Sequence, residues 1–169
     1  MKKLNEILGI NRNTEIDPES HFKNREVGMI SAERGNLSSK ENDSRTKELH
    51  EKLKRSSHNV YPVKGAYTEN YGKKNAKKVY ENSFIVTAKH AGIDSGVHKT
   101  LMNLGKHYEQ DSILHKPHHS EMASLYGTNE TGYPGMDKKD DVGKFRWDTP
   151  GKESEFHTKL PSGKVFSFA

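Results

Sequence analysis

The stretch VYENSFIVTA, residues Val79–Ala88, is the most strongly patterned part of this chain. It is dense in β-branched and aromatic residues, which pack well on a pleated surface. We therefore predict a strand here, and the neighbouring elements are assigned by working outward from it.

Toward the amino terminus, three further elements are predicted. Val27–Ala32 is a short apolar run suited to a buried strand. Ser38 and Glu41 have the spacing of a capping box, which predicts the start of a helix. Val60–Tyr67 reads as another strand, and Pro62 indicates that it begins at an edge or a bulge.

Toward the carboxyl terminus, a second helix and a fourth strand are predicted. Apolar residues recur at helical spacing between Val97 and Tyr108, and Ser112–His115 forms the strand. The order strand, helix, strand, strand, helix, strand is typical of the ferredoxin-like βαββαβ fold. We therefore predict an α+β protein with an antiparallel sheet and both helices on one face.

The chain divides into three predicted regions. Residues 1–24 are a polar N-terminal arm, residues 25–117 the ferredoxin-like core, and residues 118–169 a loop-rich C-terminal extension. Within the extension, Glu155–Leu160 and Lys164–Phe168 flank a Pro-Ser-Gly turn, which predicts a terminal β-hairpin.

Composition narrows the function classes. The chain has 169 residues, of which 30% are hydrophobic and 30% charged, so one domain with a small core is expected. There is no cysteine, which excludes disulfides, cysteine nucleophiles and cysteine-based zinc sites. Neither a secretory signal nor an apolar run of membrane-spanning length is found, so we expect a cytoplasmic protein without a membrane partner.

The net charge of +5 and the sequence pI of about 9.2 favour anionic partners, including nucleic acid and phosphate-bearing ligands. Positive and negative residues are interspersed along most of the chain, however, and this pattern is more often that of an ordinary solvated surface than of a nucleic-acid-binding one.

Candidate site residues lie where the predicted strands and helices end. Compact folding of one sheet would bring polar side chains from distant segments to a shared cleft. The candidates are Ser31, Arg34, Tyr67, Glu81 and Gln110. A carboxylate at a strand end can orient hydroxyls or a cationic ligand, and an amide can both donate and accept hydrogen bonds.

Three of these residues also have a structural explanation. Glu81 can pair with Lys77 or Lys78 on the surface, Gln110 can cap the preceding helix, and Tyr67 can belong to the core. Both explanations stay open at this stage.

The histidines do not predict a metal site. His115, His118 and His119 crowd into one segment, but their spacing matches no standard zinc motif. Lys116 and Pro117 indicate a surface turn, and we predict no metal and no cofactor.

Read together, several short segments in fixed order resemble the small bacteriophage enzymes that cleave S-adenosylmethionine, now described as lyases. The similarity covers about Val27 to Leu114. Its segments are Ser31-Ala32-Glu33-Arg34, Asn42-Asp43-Ser44-Arg45, Gly65-Ala66-Tyr67, Glu81 and Glu109-Gln110-Asp111.

The resemblance implies a homotrimer with its active site at the subunit interface, where the substrate's own carboxylate displaces methylthioadenosine and leaves homoserine lactone. By position, Glu81 would be the catalytic or orienting carboxylate, while Tyr67 and Gln110 would bind substrate. Arg34 and Ser31 complete the predicted substrate-binding set. Such an enzyme would act in the host cytoplasm and counter host methylation or restriction.

A non-enzymatic binding module is the alternative prediction. The polar arm, the lysines at 73, 74, 77 and 78 and the long C-terminal extension are features that commonly reach partners. On this interpretation the chain binds protein or nucleic acid, as an internal virion protein or a host-takeover factor.

Overall fold

The computed structural model describes residue 8 and residues 16–69 and 74–169. Most of the predicted N-terminal arm, and Lys73 of the lysine-rich loop, lie outside these ranges. The helices are α1 (Pro18–His21), α2 (Ser39–Lys54) and α3 (Val97–His107). The strands are β1 (Val27–Ser31), β2 (Asn59–Glu69), β3 (Lys77–Thr87), β4 (Ser112–Lys116), β5 (Met122–Gly127), β6 (Lys139–Trp147), β7 (His157–Lys159) and β8 (Val165–Phe168).

The strands form a closed antiparallel barrel in the order β1-β3-β2-β7-β8-β6-β5-β4, with β4 pairing back onto β1. The longest pairing joins β2 to β3, from Asn59 opposite Thr87 to Glu69 opposite Lys77. None of the helices in the described ranges is long and apolar enough to cross a membrane.

The prediction of a ferredoxin-like α+β sheet is therefore wrong. The first four strands pair in the order β4-β1-β3-β2, but neither end of this row is an open edge. Strand β5 pairs with β4, and β7 pairs with β2. Pairing both edges and closing the sheet satisfies backbone groups that an open four-stranded sheet would leave exposed.

The predicted terminal hairpin does form, since β7 and β8 pair antiparallel. It is part of the barrel wall, however, and residues 118–169 supply four of the eight strands. The predicted capping box is confirmed as well: the Glu41 N–H donates to the Ser38 hydroxyl at 3.1 Å, and the Ser38 N–H donates to the Glu41 carboxylate at 2.9 Å.

Apolar residues pack on both sides of the barrel wall. Alternation along β1 sends Val27 to the interior cluster and Ile30 to the cluster beneath α2 and α3. Gly28 allows α3 to approach closely, because a Cβ at this position would lie 2.3 Å from Leu101 Cδ1. Helix α2 thus covers β2 and β3 from outside, and α3 covers β1 and β4.

The end of the barrel where β3 finishes is filled by the segment around α1. Phe22 is buried and makes ring contacts with aromatic side chains of β6 and β8, including Phe145 and Phe166. His21 hydrogen-bonds to the Thr87 hydroxyl through Nε2 at 2.7 Å. Glu81 lies six residues before Thr87 in β3, which is about 20 Å along the strand at its usual rise.

A buried carboxylate holds the start of α3. Glu26 is only 2% exposed and accepts hydrogen bonds from the N–H groups of Ser95, Val97 and His98. His115 Nε2 lies 2.7 Å from its second oxygen. Burial alone would raise the pKa of Glu26, but the bonds from His115 and the backbone outweigh it and lower the pKa to about 2.

Candidate functional site

The strand register places Glu81 on the inner face of the barrel. Glu81 has the same parity along β3 as Ile85, which belongs to the interior cluster. Its partner across β2 is Gly65, and Ser31 of β1 is paired with Ser83. Because side chains alternate along strands, Ser31 and Glu81 share this inner face.

Ser31 connects the ends of β1 and β3. Its hydroxyl donates to the Asn82 carbonyl at 2.8 Å and accepts from the Glu33 N–H at 3.1 Å. Its position opposite Ser83 also places it beside Glu81, which lies two residues earlier on the same face of β3. Two of the predicted site residues, Ser31 and Glu81, are therefore brought together.

Glu33 is a site residue that the sequence interpretation missed. Its carboxylate accepts a hydrogen bond from the Asn82 N–H, which fixes it beside the β3 residue that follows Glu81. Burial raises the pKa of Glu33 and the charge of Asp43 raises it further, while the bond from the Asn82 N–H and the charge of Lys64 act in the opposite direction. The signal was available, because Glu33 follows Ser31 by two residues and alternation sends both toward the same face.

Glu81 is the most strongly perturbed acid at this site. Burial is the largest cause that raises its pKa, the negative charges of Glu33 and Asp111 raise it further, and the nearby Ser31 hydroxyl offsets part of the shift, so that the pKa is about 8. A carboxyl with this pKa is mostly protonated at neutral pH and ionises when a cation binds beside it. Perturbed acids of this kind cluster at functional sites.

Gln110 is buried just beyond α3 and reaches the same region through Glu33. Its side-chain nitrogen donates to the Glu33 carbonyl at 3.1 Å and to the Tyr108 carbonyl at 3.3 Å. The Thr128 hydroxyl donates to the Gln110 carbonyl. Within the single chain, Gln110 therefore fixes the end of β1 against the end of α3.

Tyr67 and Arg34 are placed differently. Tyr67 follows Gly65 by two residues on β2, so it shares the inner face with Glu81, and it is half-buried. Arg34 is turned toward the α3–β4 junction, where it donates to the Glu109 carbonyl, and its Nε donates to Asn36 at 3.4 Å. Arg34 thus braces the loop next to Gln110.

A surface hollow of about 300 Å³ lies outside the barrel along α2. Its lining residues are Leu37, Glu41, Ser44 and Arg45. Arg45 donates through Nε to the Ala32 carbonyl at 2.7 Å, and through Nη2 to the Tyr108 carbonyl. Strand β1 and Ala32, which follows it, therefore lie between this hollow and Glu81.

The raised pKa of Glu81 predicts that stability falls as pH rises. The pKa of Glu81 is about 4.5 in the unfolded chain and about 8 in the folded protein, so the folded protein binds this proton more tightly. The stability that protonated Glu81 contributes is therefore complete below about pH 4.5 and is lost as pH rises toward about 8. The largest slope is about 1.4 kcal/mol per pH unit. We expect urea unfolding from about pH 5 to about pH 8 to show this loss, and Glu81→Gln to remove most of it. Equal slopes in the two proteins would contradict the assignment.

The fold and the site together define a small closed-barrel protein with a paired-acid site on the inner face of its wall. The sequence matches the family model described as "S-Adenosylmethionine lyase family" over residues 28–168. The chain therefore belongs to the S-adenosylmethionine lyase family, as its ordered segments predicted. The match extends well past Leu114 and includes strands β5–β8. No curated protein matches the sequence significantly.

Proposed function

We propose that the protein cleaves S-adenosylmethionine into 5′-methylthioadenosine and homoserine lactone. Membership of the family implies S-adenosylmethionine as the substrate. The observation that carries the proposal is the position of Glu81, an acid with a pKa of about 8 on the inner face of the barrel. A site of this kind suits a cationic ligand, because the ligand's charge favours the ionised carboxyl.

The proposed reaction takes place within the substrate. An oxygen of the substrate carboxylate attacks Cγ, and the bond between Cγ and the sulfonium sulfur breaks with its electron pair going to sulfur. The products are a neutral thioether and a five-membered lactone, and no proton is transferred. The protein is required to hold the substrate in a folded conformation and to exclude water from it.

The residues have distinct proposed roles. Ionised Glu81 accepts hydrogen bonds from the ribose hydroxyls and offsets the positive charge of the substrate. Tyr67 contacts the bound nucleoside from β2, and Ser31 orients the Glu81 carboxyl. Gln110 holds the Glu33 backbone in place. Arg34 supports the neighbouring loop and remains a proposed contact for the substrate carboxylate.

The proposal includes the homotrimer that the resemblance implies, with neighbouring subunits completing the site. It also includes a bacteriophage origin and action in the host cytoplasm, where loss of S-adenosylmethionine would limit methylation and restriction. Size-exclusion chromatography with light scattering tests the trimer, and a monomeric mass for an active protein would refute that part.

An oxygen-18 experiment tests the chemistry. The protein is incubated with S-adenosylmethionine in labelled water, and homoserine formed by later opening of the lactone is analysed by fragmentation mass spectrometry. Because water opens a lactone at the acyl carbon, we expect the label in the carboxylate and not in the side-chain hydroxyl. Label in the hydroxyl would show direct attack of water on Cγ and would contradict lactone formation.

Two controls complete this experiment. Synthetic homoserine lactone opened in the same water gives the reference labelling pattern, and substrate without protein gives the spontaneous background. Failure to form methylthioadenosine above that background would overturn the proposed activity. Salt-sensitive DNA binding by the same inactive protein would then favour the binding-module alternative.

A further inference from the structure

Three potential metal ligands from two separate loops lie close together. A carboxylate oxygen of Asp94 and one ring nitrogen each of His118 and His119 all lie within 4.8 Å of one another. Asp94 precedes α3, whereas the two histidines lie in the turn between β4 and β5. The Asp94 carboxylate already accepts from the His118 N–H and contacts His118 Nδ1, both at 2.9 Å.

Buried charges hold both loops in position. The ammonium group of Lys116, a residue only 3% exposed, donates to the carbonyls of Pro117 and Ser120 at 2.9 Å each and so closes the turn that carries the histidines. On the other side, the Ser95 N–H donates to the buried Glu26 carboxylate at 2.7 Å. Because both loops are fixed by these bonds, little backbone ordering remains to oppose binding.

We propose that Asp94, His118 and His119 form a binding site for a divalent transition-metal ion of the zinc type. Two imidazoles and a carboxylate are ligands that zinc accepts, and water completes the coordination shell. Bond lengths of about 2.0–2.2 Å place neighbouring ligand atoms about 3.3 Å apart, so the present spacing needs only a small side-chain adjustment. Sequence spacing did not reveal the site because Asp94 lies 24 residues before His118.

The ion would link the loop before α3 to the β4–β5 turn. Gln110 lies just before the start of β4, whereas the histidines follow its last residue, Lys116, so the metal site lies at the opposite end of this strand. The site is therefore independent of the proposed S-adenosylmethionine chemistry.

Calorimetric titration of the full-length, tag-free chain with Zn²⁺ tests the proposal. We expect one saturable ion with micromolar affinity. The double variant His118→Asn/His119→Asn should lose at least tenfold in affinity, and Asp94→Asn should also bind more weakly. His90→Asn replaces an exposed histidine of the same loop as Asp94 that is not one of the three ligands, and the variant should bind zinc like the unmodified protein.

A second readout does not depend on variants folding correctly. Cu²⁺ added to the unmodified protein should give an electron paramagnetic resonance spectrum with coupling to two imidazole nitrogens. Zinc binding unchanged in the double variant, absence of saturable binding, or a copper spectrum without nitrogen coupling would each overturn the site.

Discussion

Replacing Glu81 with glutamine is expected to lower kcat/KM for S-adenosylmethionine about 100-fold while leaving the barrel folded. A hydrogen bond to a charged group contributes about 1.5–3 kcal/mol, which corresponds to a loss of this order. Free Glu81 is mostly neutral because its pKa is about 8, and glutamine matches that neutral form in shape. The substitution therefore removes the ionised state on which the proposed binding of the substrate depends.

The measurement is the initial rate of methylthioadenosine formation across substrate concentrations. Glu121→Gln is the matched control, because its side chain is 80% exposed and pairs with exposed Lys144 on the barrel surface. A Glu81→Gln enzyme within about threefold of the unmodified protein would show that neutral hydrogen bonding suffices, contrary to our account.

The pH dependence adds an independent check on the same residue. Since kcat/KM reports ionisation of free enzyme and free substrate, it should rise as pH approaches about 8 in the unmodified protein. The α-amino group of the substrate titrates in a similar pH range. The contribution of Glu81 is therefore the difference between the pH profiles of kcat/KM in the unmodified protein and in Glu81→Gln. A rise of equal size in Glu81→Gln would assign the titration to the substrate.

Replacing Glu26 with alanine is expected to lower the free energy of unfolding by about 4 kcal/mol, because several buried hydrogen-bond donors lose a charged acceptor at a cost of about 1–3 kcal/mol each. The change removes acceptors from three backbone N–H groups at the start of α3 and leaves buried His115 without its carboxylate. Glu26→Gln should also destabilise, because its NH₂ group would face N–H donors. Urea denaturation monitored by circular dichroism measures both losses.

Exposed Glu121→Ala provides the control for this series and should change stability little. Because the folded pKa of Glu26 is about 2 and its unfolded value about 4.5, its contribution is complete above the higher value and is lost as pH falls toward the lower one. A loss below about 1 kcal/mol in Glu26→Ala would contradict the capping role.

Local patterns predicted the first half of the chain well. The strand at Val79–Ala88 overlaps β3, and the capping box at Ser38 and Glu41 marks the start of α2. Both patterns depend only on residues that are close in sequence, so they can be recognised without knowledge of the fold.

The closure of the barrel was not predicted because two of the strands that close it, β6 and β7, carry weak local signals in the sequence. Five of the nine residues in β6 are charged, and β7 is only three residues long. Their positions are fixed by pairing with strands distant in sequence, such as Lys64 of β2 opposite Lys159 of β7. Pairing between strands so far apart in sequence produces no periodic pattern within either strand, so local sequence analysis does not detect it.

The same limit applies to the candidate site. Ser31 and Glu81 were predicted as site residues because both lie in patterned strands that also carry the family's ordered segments. Alternation could have placed Glu33 on the same face as Ser31, but its contact with the Asn82 N–H, nearly fifty residues later in the chain, required coordinates. Gln110 was identified correctly as a junction residue, but its bond to the Glu33 carbonyl required coordinates.

A crystal structure of the protein with bound 5′-methylthioadenosine tests the central claim most directly. We predict that the ribose hydroxyls lie within hydrogen-bonding distance of the Glu81 carboxyl, with Tyr67 against the nucleoside. A nucleoside bound in the hollow along α2, or at any place remote from Glu81, would contradict the account.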